Sequence, residues 1–246
     1  LSILLPTQSR VRDSAQRTSC LSNLKQIGNA VQMYLAENDG VYPYHEFWYN
    51  LSGKRGDLAR YGIAPFPPVD QTGLRDEANT LVERPLNAYL AQVASVSACP
   101  ADAGDARRPI VDSCFEAYGT SYMTQWRDGS IVAAFGVVPV TGGSTVNPAG
   151  GRNIDLTRPA ARFGAGIRFN GMLYKGPWTT KILLGDFNWH GNRPIDNAQV
   201  LWHRPAKRNQ RQQNMLFADG HAEFFVFPLN YGDHSLPVNP ALNGFW

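Results

Sequence analysis

The stretch that decides the fold is residues 1–40, LSILLPTQSRVRDSAQRTSCLSNLKQIGNAVQMYLAENDG. After Pro6 it holds no further proline, and before Gly40 its one glycine is Gly28. Val11, Ala15, Leu21, Leu24, Ile27, Val31 and Tyr34 recur at the spacing of one helix face. Arg10, Arg12, Asp13, Arg17, Lys25, Gln26 and Gln32 occupy the other faces. Asn38-Asp39-Gly40 ends the pattern, with Gly40 free to take a left-handed C′ conformation. The spacing therefore predicts a helix from about Thr7 to Asn38, roughly 48 Å long at ~1.5 Å per residue. A compact body made of the remaining chain has a radius of gyration of about 17 Å. Such a helix is expected to pack one half on the body and to carry the other half outward as a stalk.

Leu1, Ile3, Leu4 and Leu5 are apolar, and Pro6 follows. A bilayer takes about 20 apolar residues to cross, so these are expected to be the end of a longer apolar helix. Pro6 has no N–H to donate and is expected to kink or loosen the helix.

Residues 41–246 read as the globular part. At 43% hydrophobic and 17% charged, the chain has enough apolar residues for a sizeable core. A formal net charge of +3 gives no reason to invoke nucleic acid or an anionic membrane surface. From Val41 to Leu81 the chain is expected to be irregular, punctuated by Pro43, Gly53, Gly56, Gly62, Pro65, Pro67, Pro68 and Gly73. Tyr42, Tyr44, Phe47, Trp48 and Tyr49 cover the base of the stalk in one reading and form a glycan platform in another. Asp76 to Val93 reads as a helix, with Pro85 starting its main part. Short runs of β-branched and aromatic residues then follow at 121–126, 130–138, 166–174, 180–186, 199–203, 213–218 and 222–227. Val140–Gly151 reads as an insertion loop. Asp219-Gly220 between two such runs predicts a two-residue hairpin turn, because Gly220 accepts positive φ. Its flanking strands are expected to alternate between core and outward faces. Helix first and strands later gives an α+β class, with an antiparallel sheet against the long helix.

No constellation of catalytic residues stands out. There is no GxSxG elbow before a helix, and the glycine-rich GGSTVNPAGG lacks the lysine of a phosphate loop. His190, His203, His221 and His234 follow no HxxxH spacing, and His221 reads as a hairpin residue. No cysteine pair has the CxxC spacing of a zinc site. The sequence is read as that of a protein that is not an enzyme.

Beyond these patterns, CLSNLKQIGNAVQMYLAENDGVYP (20–43), preceded by LLP (4–6), resembles the pilin-like type II secretion pseudopilins. It is most similar to the bacterial family with a prepilin-type leader and a C-terminal motif built on His and Asp-Gly. ERPLNAYL (83–90), ACPAD (98–102), YGTSY (118–122), KILLGD (181–186) and NMLFADGHAEFF (214–225) extend the likeness across most of the chain. There is a departure: the family places nine residues between the His and the Asp-Gly, whereas fifteen separate His203 from Asp219. RPAKRNQRQQ reads as an enlarged loop there.

The resemblance implies a pilin-like fold, with a stalk helix at 1–40 and an α+β head with extended loops at 41–246. It implies a structural subunit of an extracellular filament or secretion pseudopilus, a helical homo-oligomer with heads outward. Leader processing, N-terminal methylation, membrane embedding before assembly, an inner-membrane assembly machinery as partner and an extracytoplasmic location follow from the same likeness. Leu1, Ile3, Leu4, Leu5, Pro6, Val11 and Ala15 are assigned to packing between subunits. Leu21, Leu24, Ile27, Val31 and Tyr34 are assigned to packing on the head.

The oxidising location so implied favours a disulfide between Cys99 and Cys114, which flank a Pro- and Asp-rich loop. The alternative is two free buried thiols, and Cys20 is expected to be a small packing residue without a partner. Major pseudopilins commonly hold calcium in a C-terminal loop, which makes Asp102, Asp105, Asp186 and Asp219 candidate ligands by type. The competing reading of each is a turn-capping aspartate. A different functional class also fits: a membrane-anchored surface glycan-binding module, with Trp48 and Trp189 as candidate platform residues.

Overall fold

In a computed structural model, residues 4–38, 43, 49–63, 84–124, 167–169, 172–174, 182–189, 202–203 and 210–227 are described. Helix α1 spans Leu4–Glu37, and a short helix α2 spans Cys114–Tyr118. The strands are β1 (Tyr122–Thr124), β2 (Ile167–Phe169), β3 (Met172–Tyr174), β4 (Ile182–Asp186), β5 (Gln212–Phe217) and β6 (Ala222–Val226). β1, β4, β5 and β6 form one sheet in that order, each pair antiparallel, and β2 and β3 pair as a separate antiparallel hairpin. The molecule is α+β: one long N-terminal helix and an antiparallel sheet.

α1 lies across β5 and β6 and also touches the 3-10 turns at Ala88–Leu90 and Ala94–Ser97. Its buried stripe is Cys20, Leu24, Ile27, Val31 and Leu35, with Ala30 beside it. Tyr34 is half-buried against the same core and stacks edge-on with Tyr89. Leu21 is only half-buried, one step off the stripe. Gly28 explains how closely the helix sits: a Cβ there would come within 2.8 Å of a Leu216 methyl on β5. Pro6 lies within α1 as described. The described helix begins at Leu4, before the expected start at about Thr7.

Three other expectations are corrected. The proposed helix at 76–93 is, over its described part, a run of turns with a 3-10 segment at Ala88–Leu90. Ala91 and Gln92 take positive φ of 50° and 60°, which ends any helix there. His203, placed in a strand by its neighbours, lies with Trp202 in a bend. β5 does not alternate between core and solvent: all its residues are buried, because helix and loops cover its two faces. The runs at 130–138 and 140–151 lie outside the described residues.

ERPLNAYL has a structural reason. Arg84 is buried and donates to the carbonyls of Tyr49, Ser52 and Tyr118. One guanidinium thus joins the 49–53 segment to the end of α2. Asn87 continues the seam, exchanging hydrogen bonds with both backbone groups of Gly53.

The β5–β6 turn is closed by Gly220 N–H to Phe217 C=O (2.9 Å) and Phe217 N–H to His221 C=O (2.9 Å). It therefore connects through Ala218, Asp219 and Gly220, a three-residue turn with its left-handed residue last, rather than the expected two-residue turn. Gly220 has φ +88°, as that turn requires, and the Asp219 carboxylate accepts from the His221 N–H and ring. Gly220→Val is expected to lower stability by about 1–3 kcal/mol through backbone strain. Asp219→Asn, which keeps the acceptor, is expected to change it by under about 0.5 kcal/mol. Thermal melts with calcium and with chelator check both, and a calcium-dependent loss confined to Asp219→Asn would return Asp219 to the ligand list.

Candidate functional site

Two regions remain once the packing is accounted for: the N-terminal part of α1 and the place where α1 meets the head. Along α1, no described side chain before Cys20 is buried. Val11 is 69% exposed, and Ala15 is exposed too. Gln16 donates to the Pro100 carbonyl (2.9 Å), and Arg17 lies over the Phe224 ring (4.9 Å). Leu4, Leu5 and Pro6 lie within the helix, while Leu1 and Ile3 lie outside the described residues. Of the residues assigned to subunit packing, Val11 and Ala15 are thus exposed on the helix.

The junction holds a disulfide between Cys20 and Cys99, with Cα atoms 5.2 Å apart. Cys114 is buried and is not part of it. The expected Cys99–Cys114 pairing is wrong for a local reason. Asp102 already organises that loop: its carboxylate accepts from the N–H groups of Gly104, Cys114 and Phe115 and from Ser121 Oγ. Cys99 instead faces α1, in register with Asn23, which donates to the Ala98 carbonyl (2.8 Å), and with Gln16 at Pro100. Cys20, taken from the sequence as a packing residue, is the partner.

Asp186 and His203 lie against this disulfide. Asp186 ends β4 and is fully buried; its Oδ2 accepts from the Asn214 N–H of β5 (2.8 Å). His203 Nε2 stands 3.6 Å from Asp186 Oδ2 and 3.5 Å from Cys99 Sγ. Asp186 Oδ1 and His203 Nδ1 are buried without a hydrogen-bond partner. Burial, followed by the charge of Asp102, moves the Asp186 carboxyl up to about 7. Burial and then Arg17 push the His203 imidazole down to about 4. Despite their proximity the two are therefore not an ion pair at mildly acidic pH: both are uncharged.

The four calcium candidates do not assemble. The Asp102 oxygens are occupied by hydrogen-bond donors, and Asp105 accepts from Tyr118 Oη and the Arg107 N–H. Asp219 is engaged by His221 on the far hairpin. Of the four, only Asp186 belongs to a group able to hold a metal among the described residues, and its companions are Cys20, Cys99 and His203. No spacing in the sequence connects positions 20, 99, 186 and 203; of the four, only Asp186 was a candidate ligand from the sequence, and that for calcium. Of the glycan-platform candidates, Trp189 is buried and donates to the Met123 carbonyl, so it offers no surface. Trp48 lies outside the described residues.

Residues 9–152 match the model of a family described as "Protein of unknown function (DUF1559)", which covers more than half of the chain. No curated protein matches the chain, and no solved structure does.

Peptide mapping without reduction is expected to show a Cys20–Cys99 link and Cys114 as a thiol. Cys20→Ser is expected to lower stability by about 4 kcal/mol in the chain-entropy picture for a loop of this length, the separation being 79 residues. The Asp186–His203 pair makes a pH prediction. The raised Asp186 pKa contributes stability below about pH 4 that is lost as pH rises through about 7. The lowered His203 pKa contributes stability above about pH 6.5 that is lost as pH falls toward about 4. Between these limits the two slopes cancel. Asp186→Asn removes one of them, and its stability is expected to rise with pH from 4 to 6.5 by up to about 1.4 kcal/mol per unit relative to wild type. His203→Gln is expected to tilt the other way, and parallel curves for all three proteins would refute the pairing.

Proposed function

The chain belongs to the DUF1559 family, whose function is unknown, and we propose that it is a pilin-like structural subunit that assembles through its N-terminal helix. The observation that carries this reading is the division of α1. From Cys20 to Leu35 one stripe is buried in the head, whereas before it Val11 and Ala15 stand exposed on a helix that continues back to Leu4. The twelve residues from Leu4 to Ala15 amount to about 18 Å of helix at ~1.5 Å per residue. Copies packing through these segments by a rotation that does not close would build a helical filament with heads outward.

The disulfide supports an extracytoplasmic location, since such bonds persist in oxidising compartments. No helix among the described residues is long and apolar enough to cross a membrane. Membrane embedding before assembly therefore rests on apolar residues at and before Leu5. In this reading the head is a structural unit rather than an enzyme, and its partners are further copies and an inner-membrane assembly machinery.

Val11→Asp or Ala15→Asp should abolish filaments while leaving the head folded, because a charge buried in a helix–helix interface costs several kcal/mol. Negative-stain microscopy of native cell surfaces, labelled with antibody to the head, reads the first effect. The melting temperature of the purified chain reads the second. Normal filaments from both variants would sink the assignment.

A further inference from the structure

The junction between α1 and the head contains more donor chemistry than a structural disulfide uses. The Sγ atoms of Cys20 and Cys99, an oxygen of Asp186 and a ring nitrogen of His203 all lie within 4.8 Å of one another, and all four residues are buried. A disulfide packed in a core is satisfied by apolar neighbours. Here it faces a buried carboxyl and a buried imidazole, with His203 Nε2 3.5 Å from Cys99 Sγ and 3.6 Å from Asp186 Oδ2.

We propose that this cluster is a redox-exchangeable zinc site, in which the reduced Cys20 and Cys99 join Asp186 and His203 around one Zn²⁺. The geometry is that of a tetrahedron. Zinc bonds of about 2.0–2.3 Å to nitrogen, oxygen and sulfur put adjacent donors about 3.4–3.8 Å apart. Two edges already have that length: Cys99 Sγ to His203 Nε2 at 3.5 Å, and His203 Nε2 to Asp186 Oδ2 at 3.6 Å. Once the S–S bond is broken, the sulfurs separate to non-bonded contact at about 3.8 Å, the sulfur–sulfur edge of the same tetrahedron. Asn214 N–H holds Asp186 Oδ2, which orients the carboxylate. Arg17 lies over Phe224, whose ring meets His203 edge-on, and its cation offsets the single negative charge of a site with two thiolates, one carboxylate and Zn²⁺.

The exchange balances. A dithiol reductant gives two electrons to the Cys20–Cys99 bond and becomes a disulfide itself, leaving two thiols. Zn²⁺ then displaces the thiol protons and any proton on Asp186 to solvent, with His203 binding as the neutral ring. Reoxidation releases the metal and restores the S–S bond. The two states exclude each other, and both hold α1 to the head. The inference does not rest on the filament reading, because it concerns only residues within one chain.

The test uses the full chain under anaerobic conditions, with a phosphine reductant and Co²⁺ as the spectroscopic probe. The reduced protein is expected to take up one Co²⁺ per chain, with tetrahedral d–d bands and a thiolate-to-cobalt charge-transfer band. The oxidised protein is expected to show neither. Cys114→Ser should leave the spectrum unchanged, while His203→Ala and Asp186→Asn should weaken binding at least about 10-fold. Zn²⁺ in modest excess should raise the melting temperature of the reduced wild type, since binding favours the folded state. This second readout stands even where a ligand variant fails to fold. Reduced wild type that shows no cobalt bands and no zinc-dependent shift overturns the proposal. So does binding that is unaltered in a folded His203→Ala variant.

Discussion

Where α1 crosses β5 and β6, Cys20, Leu24, Ile27, Val31 and Leu35 lose nearly all contact with water. Burying aliphatic side chains of this size contributes about 1.5–3 kcal/mol each. A largely polar helix of this length gains little by comparison from its own hydrogen bonds. The stripe is therefore what makes α1 and the sheet one structure, and much else follows from its placement. β5 has no solvent face because the helix covers one side of it, and Gly28 is small because any larger residue would hold the helix off Leu216. The β5–β6 turn lies beneath the helix, close enough for Gln32 to donate to the Ala218 carbonyl (3.3 Å).

The parts of this arrangement governed by local chemistry were legible in the sequence. The 3.6-residue period of Leu24, Ile27 and Val31 located the helix and its packed face. Asp219-Gly220 located the hairpin, and KILLGD and NMLFA located β4 and β5. The misreadings share a cause: a tertiary partner that no spacing announces. Leu21 fits the period nearly as well as Cys20, and only the position of Cys99 decides which of them is covered. Residues 84–93 carry a helical pattern of Leu86, Tyr89, Leu90 and Val93. Arg84 is held by three carbonyls from other segments, and Ala91 and Gln92 turn left-handed, so the helix never starts. Gln212, Gln213 and Asn214 look like solvent-facing strand residues and are in fact central and buried.

The junction was the least legible part. Cys20 comes from the helix, Cys99 from the end of a 3-10 turn, Asp186 from the last residue of β4 and His203 from a bend. Their convergence is a property of the sheet order, which sets β4 beside β5 and directs its C-terminal carboxylate toward the helix. The clues were Asp186, named as a candidate ligand, and a histidine in a motif whose spacing to Asp-Gly is stretched here. The stretch is harmless to the site, because His203 is positioned by Asp186, Cys99 and Phe224 rather than by its distance along the chain from the turn.

Position gives the Cys20 bond a mechanical meaning as well. It lies at the N-terminal edge of the buried stripe, so a force applied to the helix before it would reach Cys20 before it reaches Leu24, Ile27 or Val31. An apolar stripe resists sliding poorly and peels one turn at a time from its end, since each turn buries only one or two side chains. A covalent tie at that end prevents peeling from starting, and it does so without lengthening the stripe. Placing the tie there, instead of across the Cys99–Cys114 loop, leaves that loop to Asp102. Its five hydrogen bonds hold the loop with no need for a cross-link.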